Sequence, residues 1–216
     1  MVTSPQQNPP PRHKVRAGAL LLAAGFSRRF RGSKLLAPLP HVAATVFEQT
    51  LSRLSQSAEE IIIVCRPEMA AEFTASIDKT LSRHVSPPAA PIVRLVEFDA
   101  AHLGMGASLS FAAQQIDGWE VCLVCLADMP YVCAQTYALL AERCSSASLV
   151  TPYFDGKRGQ PTAFGSSYFD ELRQLQGDTG ARELLKKHAA QTLALDIDDG
   201  GILRDIDTRD DLESGT

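Results

Sequence analysis

The chain has 216 residues, 45% of them apolar and 21% charged, which is typical of a globular protein and excludes a disordered or fibrous one. This length suits a single α/β domain. Lysine and arginine number 21 against 25 aspartates and glutamates, so the net charge of −4 argues against a nucleic-acid partner. The longest apolar stretch, residues 17–26, is shorter than the roughly 20 residues that span a bilayer, which predicts no membrane partner.

The N-terminal segment, residues 1–14, contains four prolines among glutamine, asparagine and serine. It lacks the apolar core of a secretory signal, so we predict a disordered leader followed by one domain over residues 15–216. The chain has five cysteines. An odd number without a secretory signal indicates reduced thiols and a cytoplasmic location.

The first predicted strand, residues 18–24, opens into a loop rich in glycine and basic side chains. Glycines let backbone N–H groups approach an anion, and Arg29 and Lys34 add positive charge suited to a polyphosphate. The loop is not a Walker loop, because that motif needs Gly-Lys-Ser/Thr after four spacer residues, whereas Gly32 is followed by Ser33 and Lys34. We predict phosphate binding; the alternative is a solvated basic loop.

Short apolar runs then alternate with helical patterns. Thr45 and Glu48 form a capping-box signature at the start of one such helix. The remaining predicted strands are residues 61–65, 92–98, 121–126 and 148–152, and the predicted helices are residues 45–55, 67–81, 106–116 and 133–144. This alternation predicts a single Rossmann-like three-layer α/β domain with a mainly parallel sheet. Ligands then bind at the carboxyl ends of the strands.

The segment after the strand of residues 92–98 contains Gly104, Met105 and Gly106. It half-matches the GxGxxG dinucleotide fingerprint, but Leu109 stands at the third glycine position. We therefore predict no dinucleotide site. His102 lies beside this segment, and a lone histidine is more typical of a structural role.

The strand of residues 121–126 contains the pair Cys122 and Cys125 and is followed by Asp128. An odd offset along a strand directs side chains to opposite faces, so we expect buried thiols rather than metal ligands. A carboxylate at the carboxyl end of a strand suits an Mg²⁺ ligand beside a triphosphate. The alternative is that Asp128 caps the helix beginning near Cys133.

Three polar segments follow towards the C-terminus, at residues 158–161, 177–182 and 205–212. In the second, Asp178 or Thr179 is suited to cap a helix running to His188, whose N-terminus would favour an anion. The third is an acidic run that, by itself, equally suits a terminal helix capped by threonine.

Together these segments resemble the nucleotidyltransferases of the molybdenum cofactor, from about residue 15 to residue 212. The first loop is similar to the signature LAAGxSxRxGxxK, with Gly25, Ser27, Arg29 and Lys34 on family positions. The family's last glycine is replaced by Arg31, which implies an altered local geometry. The other matching segments, in the family's order, are residues 104–109 (GMxxSL), 126–130 (LADMP), 158–161, 177–182 (GDxGAR) and 205–212 (DIDTPEDL in the family).

The resemblance implies a nucleotide-diphospho-sugar transferase-like fold and a role for each matching residue. Catalysis would rest on Lys34, Arg29 and Asp128, and Mg²⁺ on Asp128 and Asp207. The residues implied in nucleotide binding are Leu22, Ala23, Ala24, Gly25, Ser27, Gly104, Met105 and Ser108. Those implied in binding the second substrate are Gly159, Gln160, Pro161, Asp178 and Arg182.

The implied reaction joins a nucleoside triphosphate to the phosphate of molybdopterin, the organic part of the molybdenum cofactor, and releases pyrophosphate. A molybdoenzyme or its chaperone is a further partner. Ala24 favours CTP, because in the family a glycine at this position accompanies GTP. The alternatives are GTP, another phosphorylated small molecule, or a non-catalytic cofactor carrier. Retention of Lys34, Asp128 and Asp207 together argues against the carrier.

Overall fold

The structure, a computed structural model, describes residues 16–30, 32–83 and 90–213, so the predicted leader and Arg31 lie outside the described residues. The strands within these residues are β1 (Ala17–Leu22), β2 (Glu60–Cys65), β3 (Ile92–Glu97), β4 (Val121–Leu126), β5 (Leu149–Phe154), β6 (Lys157–Arg158), β7 (Thr162–Gly165) and β8 (Thr192–Asp196). The α-helices are α1 (Val46–Leu54), α2 (Ala70–Arg83), α3 (Met105–Ala113), α4 (Ala134–Arg143), α5 (Phe169–Leu172), α6 (Arg182–Lys187) and α7 (Asp210–Glu213).

The strands form one sheet in the order β3-β2-β1-β4-β7-β5-β6, with β8 paired to β5. Neighbours among β3, β2, β1 and β4 are parallel, β7 is antiparallel to both β4 and β5, and β8 is parallel to β5. The predicted α/β fold with a mainly parallel sheet is confirmed.

The sequence patterns missed β6, β7 and β8. A signal for the β5–β6 hairpin was present in Asp155-Gly156, whose φ angles of 49° and 71° are those of a tight hairpin turn. By contrast, β7 has four buried residues and β8 is mostly exposed, so neither shows clear alternation.

The sheet buries apolar side chains on both faces. Ala19 and Leu21 of β1 belong to one core, and Leu20 belongs to the other. Cys125 lies in the first core and Cys122 in the second, which confirms the predicted opposite orientation of the two thiols. Burial raises the pKa of both, so they stay protonated and unsuited to metal binding.

The capping box of α1 forms as predicted. The Thr45 hydroxyl accepts a hydrogen bond from the Glu48 backbone N–H at 3.2 Å, and the Glu48 carboxylate accepts one from the Thr45 N–H at 3.1 Å. Glu48 is buried, and its charge is balanced by Lys79 of α2 at 2.7 Å. The cap therefore also joins α1 to α2.

Two helix caps considered from the sequence are not formed: Asp128 as the alternative cap of α4, and Asp178 or Thr179 as the cap of α6. Helix α4 is capped from across the fold by Asp199, which accepts hydrogen bonds from the Cys133 N–H at 2.9 Å and the Thr136 hydroxyl at 2.6 Å. Helix α6 begins only after Ala181 and has no side-chain cap, so Asp178 and Thr179 do not cap it. Within the described residues, no helix combines the length and the apolar character needed to cross a membrane.

Candidate active site

A cleft of about 480 Å³ opens where β1 and β4 end. The parallel pairing of these strands brings the loop after β1 and Asp128 after β4 to the same edge of the sheet. All of the residues predicted to act in catalysis or to bind nucleotide or metal line the cleft: Leu22, Ala23, Ala24, Gly25, Ser27, Arg29, Lys34, Gly104, Met105, Ser108, Asp128 and Asp207.

The loop after β1 is held open by local geometry. Ser27 adopts a φ of 49°, which is uncommon for a residue with a side chain, and its carbonyl accepts a hydrogen bond from the Phe30 N–H. Phe30 is buried and anchors the turn. A Cβ placed on Gly25 would meet no atom within 4 Å, so the space beside its backbone is free for a ligand.

Phe26, a residue of this loop that also lines the cleft, is in contact with Arg66. The Phe26 ring is 43% exposed, and the Arg66 guanidinium carbon lies 4.5 Å from its centroid. Both residues line a smaller cavity of about 360 Å³ behind the loop. Arg66 follows β2, and no motif in the sequence pointed to it.

Two basic side chains and two carboxylates form the charged centre of the cleft. The Lys34 Nζ lies 2.6 Å from Asp128 Oδ2 and 3.1 Å from Asp207 Oδ1. Arg29 lies 2.6 Å from Asp207 Oδ2. Burial lowers the pKa of Lys34, but the nearby carboxylates raise it by more, so the pKa lies above its ordinary value. Lys34 is therefore a cation at neutral pH.

A third carboxylate, Asp205, completes an acidic group that the sequence had only partly identified. One oxygen from each of Asp128, Asp205 and Asp207 lies within 4.8 Å of the others. Partial burial raises the pKa of Asp205, and the charges of the other two carboxylates raise it further. The sequence did contain a signal for Asp205. Asp205 and Asp207 lie on either side of the buried Ile206, and residues two apart in an extended chain share a face.

The segment carrying Asp207 is fixed at both ends. The Ile206 N–H donates a hydrogen bond to the backbone carbonyl of Asp128 at 2.9 Å. The Asp211 carboxylate accepts hydrogen bonds from the Asp207 N–H at 2.9 Å and the Thr208 N–H at 2.6 Å, and these bonds lower the pKa of Asp211. Asp207 is thus held beside Asp128 by backbone contacts.

These carboxylates fit a hard divalent cation. Asp128 Oδ1 is buried and has no hydrogen-bond partner, which is costly for a charged oxygen unless another ligand binds it. An all-oxygen set of this kind suits Mg²⁺ or Mn²⁺. Asp128 does not cap α4, since Asp199 does, so its carboxylate is available to the cleft.

The opposite wall of the cleft is formed at the start of α3. Gly104 has a φ of 107°, and a Cβ there would lie 2.3 Å from Asp178 Oδ1 and 2.6 Å from the backbone of Gly177. The Gly106 N–H donates to the Gly177 carbonyl at 2.7 Å. This close approach brings Asp178 into the cleft. His102, which the sequence gave no reason to select, also lines it.

The other residues predicted to bind the second substrate do not line this cleft. Gly159 and Gln160 pack against Ile202, with the Gln160 N–H donating to the Ile202 carbonyl at 3.0 Å. Pro161 directly precedes β7, whose pairing with β4 places this segment near the edge that carries Asp128. Arg182 is exposed at the first position of α6. Their roles stay a prediction.

Comparison with known proteins gives matches over most of the chain. Residues 19–192 match the MobA-like NTP transferase domain. The purine catabolism protein PucB of Bacillus subtilis is 28% identical over 198 residues, covering 90% of this chain and 93% of PucB.

Solved structures show the same fold. The crystal structure of Rv0371c from Mycobacterium tuberculosis has a TM-score of 0.74 at 25% identity, covering 93% of this chain and 96% of Rv0371c. A crystal structure of Rv0371c in complex with manganese has a TM-score of 0.68 at 23% identity, covering 93% and 97%. Mth528, a nucleotidyl transferase from Methanothermobacter, has a TM-score of 0.73 at 21% identity, covering 92% and 95%.

Proposed function

The chain belongs to the MobA-like NTP transferase family, and we propose that it transfers a cytidylyl group from CTP to the phosphate of molybdopterin, releasing pyrophosphate. Nucleotidyl transfer is the activity of the family, and the resemblance noted in the sequence is confirmed. Beyond the activity of the family, we propose the identity of the nucleobase, the identity of the acceptor and the use of Mg²⁺.

One observation carries the catalytic part of the proposal. Asp128 lines the cleft and has one buried oxygen without a hydrogen-bond partner, and the glycine loop lining the same cleft has open space at Gly25. Lys34 contacts the second oxygen of the same carboxylate at 2.6 Å. Acidic ligands, a lysine and free backbone N–H groups side by side are what a metal-bound triphosphate needs.

The reaction needs little from the protein beyond alignment and charge. An oxygen of the acceptor phosphate attacks the α-phosphorus of the triphosphate, and the new P–O bond forms as the bond to the pyrophosphate oxygen breaks. The attacking oxygen is already anionic, so no general base is required. Backbone N–H groups of residues 24–27 hold the phosphates, while Lys34 and Arg29 offset the charge on the leaving pyrophosphate.

The residues that would hold Mg²⁺ are Asp128 and Asp207, with Asp205 beside them. When bound, the ion supplies positive charge to the triphosphate oxygens. The manganese complex of Rv0371c supports a divalent cation in a protein of this fold.

The choice of CTP rests on Ala24, which is buried at the end of β1 where family members that use GTP have glycine. The choice of molybdopterin rests on residues 177–182, which match the family's GDxGAR segment. Asp178 of that segment lines the cleft, which supports an acceptor site next to the nucleotide.

The test is pyrophosphate release with Mg²⁺ and molybdenum-loaded molybdopterin, with CTP, GTP, ATP and UTP in parallel. We expect release with CTP, and release slowed by about 10²- to 10³-fold when Asp128 is changed to Asn. Release with GTP alone would correct the nucleobase and keep the mechanism. Tight pterin binding without release would favour the carrier, whereas neither release nor binding would point to another phosphorylated acceptor.

A further inference from the structure

We propose that Lys34 is a built-in competitor of the divalent cation: it occupies the metal carboxylates until metal and nucleotide arrive together. This inference rests on the proposed function, because it takes Asp128 and Asp207 as the metal ligands. It adds that Lys34 leaves the carboxylates when metal and nucleotide bind, and that the binding of each of these two ligands depends on the other.

The carboxylate oxygens of Asp207 are both engaged by the protein's own cations. Oδ1 lies 3.1 Å from the Lys34 ammonium and Oδ2 lies 2.6 Å from Arg29. Asp128 has one oxygen engaged by Lys34 at 2.6 Å and one without a partner. A divalent cation that takes both carboxylates as ligands must therefore displace a basic side chain from Asp207.

The two basic residues do not compete equally. The Lys34 side chain is only 11% exposed, and it stands on a short helical turn, Lys34–Leu36, whose Leu35 is buried. The Arg29 side chain is 73% exposed, where solvent screens an ion pair. Lys34 is thus the main competitor, and Arg29 is a minor one.

Lys34 and a divalent cation repel each other strongly if both hold the same carboxylates in a partly buried site. Displaced by the ion, the ammonium needs a new anion, and the triphosphate bound at the neighbouring loop supplies one. Each ligand therefore improves the site for the other. Because such coupling is reciprocal, nucleotide should tighten metal binding by the same factor as metal tightens nucleotide binding.

The experiment measures Mn²⁺ binding to the full chain, without acceptor, by following free Mn²⁺ in solution. Without nucleotide we expect weak binding, and Lys34→Met should bind Mn²⁺ about tenfold tighter, since the contacts of the Lys34 ammonium with Asp128 and Asp207 no longer have to be broken. Arg29→Met should give a smaller gain. Lys34→Arg keeps the charge and should stay weak.

The matched control is Arg28→Met. It removes one positive charge from the same loop, but the Arg28 guanidinium faces the Phe26 ring at 5.7 Å rather than a carboxylate. We expect its Mn²⁺ affinity to equal that of the parent. A non-hydrolysable CTP analogue should tighten Mn²⁺ binding by the parent chain and have less effect on Lys34→Met.

Three outcomes would overturn the inference: unchanged or weaker Mn²⁺ binding by Lys34→Met, tight parent binding that nucleotide does not alter, or no Mn²⁺ binding by either chain. A gain in Arg28→Met equal to that in Lys34→Met would also overturn it, since the effect would then be general electrostatics. A thermal melt of each variant shows that it is folded. Failure of the proposed function is separate, because it appears only as absent pyrophosphate release.

Discussion

The half of the sheet built from β1 to β4 is parallel throughout, whereas the half built from β5 to β8 mixes strand directions. In the first half every loop after a strand emerges at one edge, and the predicted nucleotide residues meet in one cleft. In the second half, β6 and β7 run back along β5, and of the predicted acceptor residues Asp178 alone lines that cleft. Where the strands are parallel, the function of a residue is thus easier to infer from its place after a strand.

Two ion pairs, one from each half, differ in how far they are buried. The Lys34–Asp128 pair at 2.6 Å is mostly buried, whereas the Lys187–Glu171 pair at 2.7 Å is on the surface, with the lysine 66% exposed. Nearly equal distances therefore have different consequences, because solvent screens the second pair. The charged centre lies where β1 and β4 end and takes Asp205 and Asp207 from the segment after β8, whereas the Lys187–Glu171 pair gives only modest structural support.

The largest effect is expected at the charged centre of the first half. Asp128→Asn should lower kcat for pyrophosphate release by about 10²- to 10³-fold, the scale of one preorganised electrostatic contact. Asp198→Asn, at an exposed aspartate of the second half, is the matched control and should be near the parent. A fully active Asp128→Asn chain would refute the assignment of the charged centre.

Gly25→Ala, in the first half, should weaken nucleotide binding without changing the stability of the fold. The added methyl meets no protein atom within 4 Å, so the melting temperature should not change. The methyl would instead enter the space beside the loop and raise KM for the nucleotide about tenfold, the cost of one crowding methyl group. Calorimetry and nucleotide titration together check this, and an unchanged KM would mean that phosphates bind elsewhere.

Gly104→Ala tests the contact that joins the two halves. A Cβ there would lie 2.3 Å from Asp178 Oδ1 in a backbone with a φ of 107°, so we expect a loss of about 5 °C in Tm and a higher KM for nucleotide. Gly156→Ala is the control, because its φ is 71° but the surrounding space is open. Equal losses in both variants would show that strain alone is responsible.

Gln160→Ala tests whether the second half recognises the acceptor. The expected result is a rise of about three- to tenfold in KM for molybdopterin, one neutral hydrogen bond, with KM for nucleotide unchanged. Arg182→Ala, exposed on α6, should act in the same direction if the pterin phosphate reaches it. If neither variant changes KM for the acceptor, the second half does not contact it.

The smallest effect is expected for the surface pair of the second half. Hydrogen bonding by Lys187, and then by His188, lowers the pKa of Glu171. A lowered carboxyl pKa gives stability that is present above the ordinary value and is lost as the pH falls through the folded value. Glu171→Gln should therefore lower Tm by no more than about 3 °C at pH 7, and the difference should disappear as the pH falls through the lowered pKa of Glu171.

Much of the first half could be predicted, because its signals are local. The alternating runs located β1 to β4, the pair Thr45 and Glu48 marked the start of α1, and strand geometry separated Cys122 from Cys125. In the second half the short buried β7 and the exposed β8 have no clear period, and their place depends on pairing with distant strands. The two signals that were missed were also local: Asp155-Gly156 for the β5–β6 hairpin, and Asp205 for the acidic group.

By itself, the sequence determined the order of β1 to β5 and α1 to α4, the basic loop after β1 and the acidic residue after β4, because each is encoded within a few neighbouring residues. The tertiary structure decided which of these residues touch. It put Lys34 against Asp128 and Asp207, residues 94 and 173 positions away, and it gave the cap of α4 to Asp199. Such contacts depend on how the whole sheet pairs and packs, since only the assembled core brings distant segments to one edge.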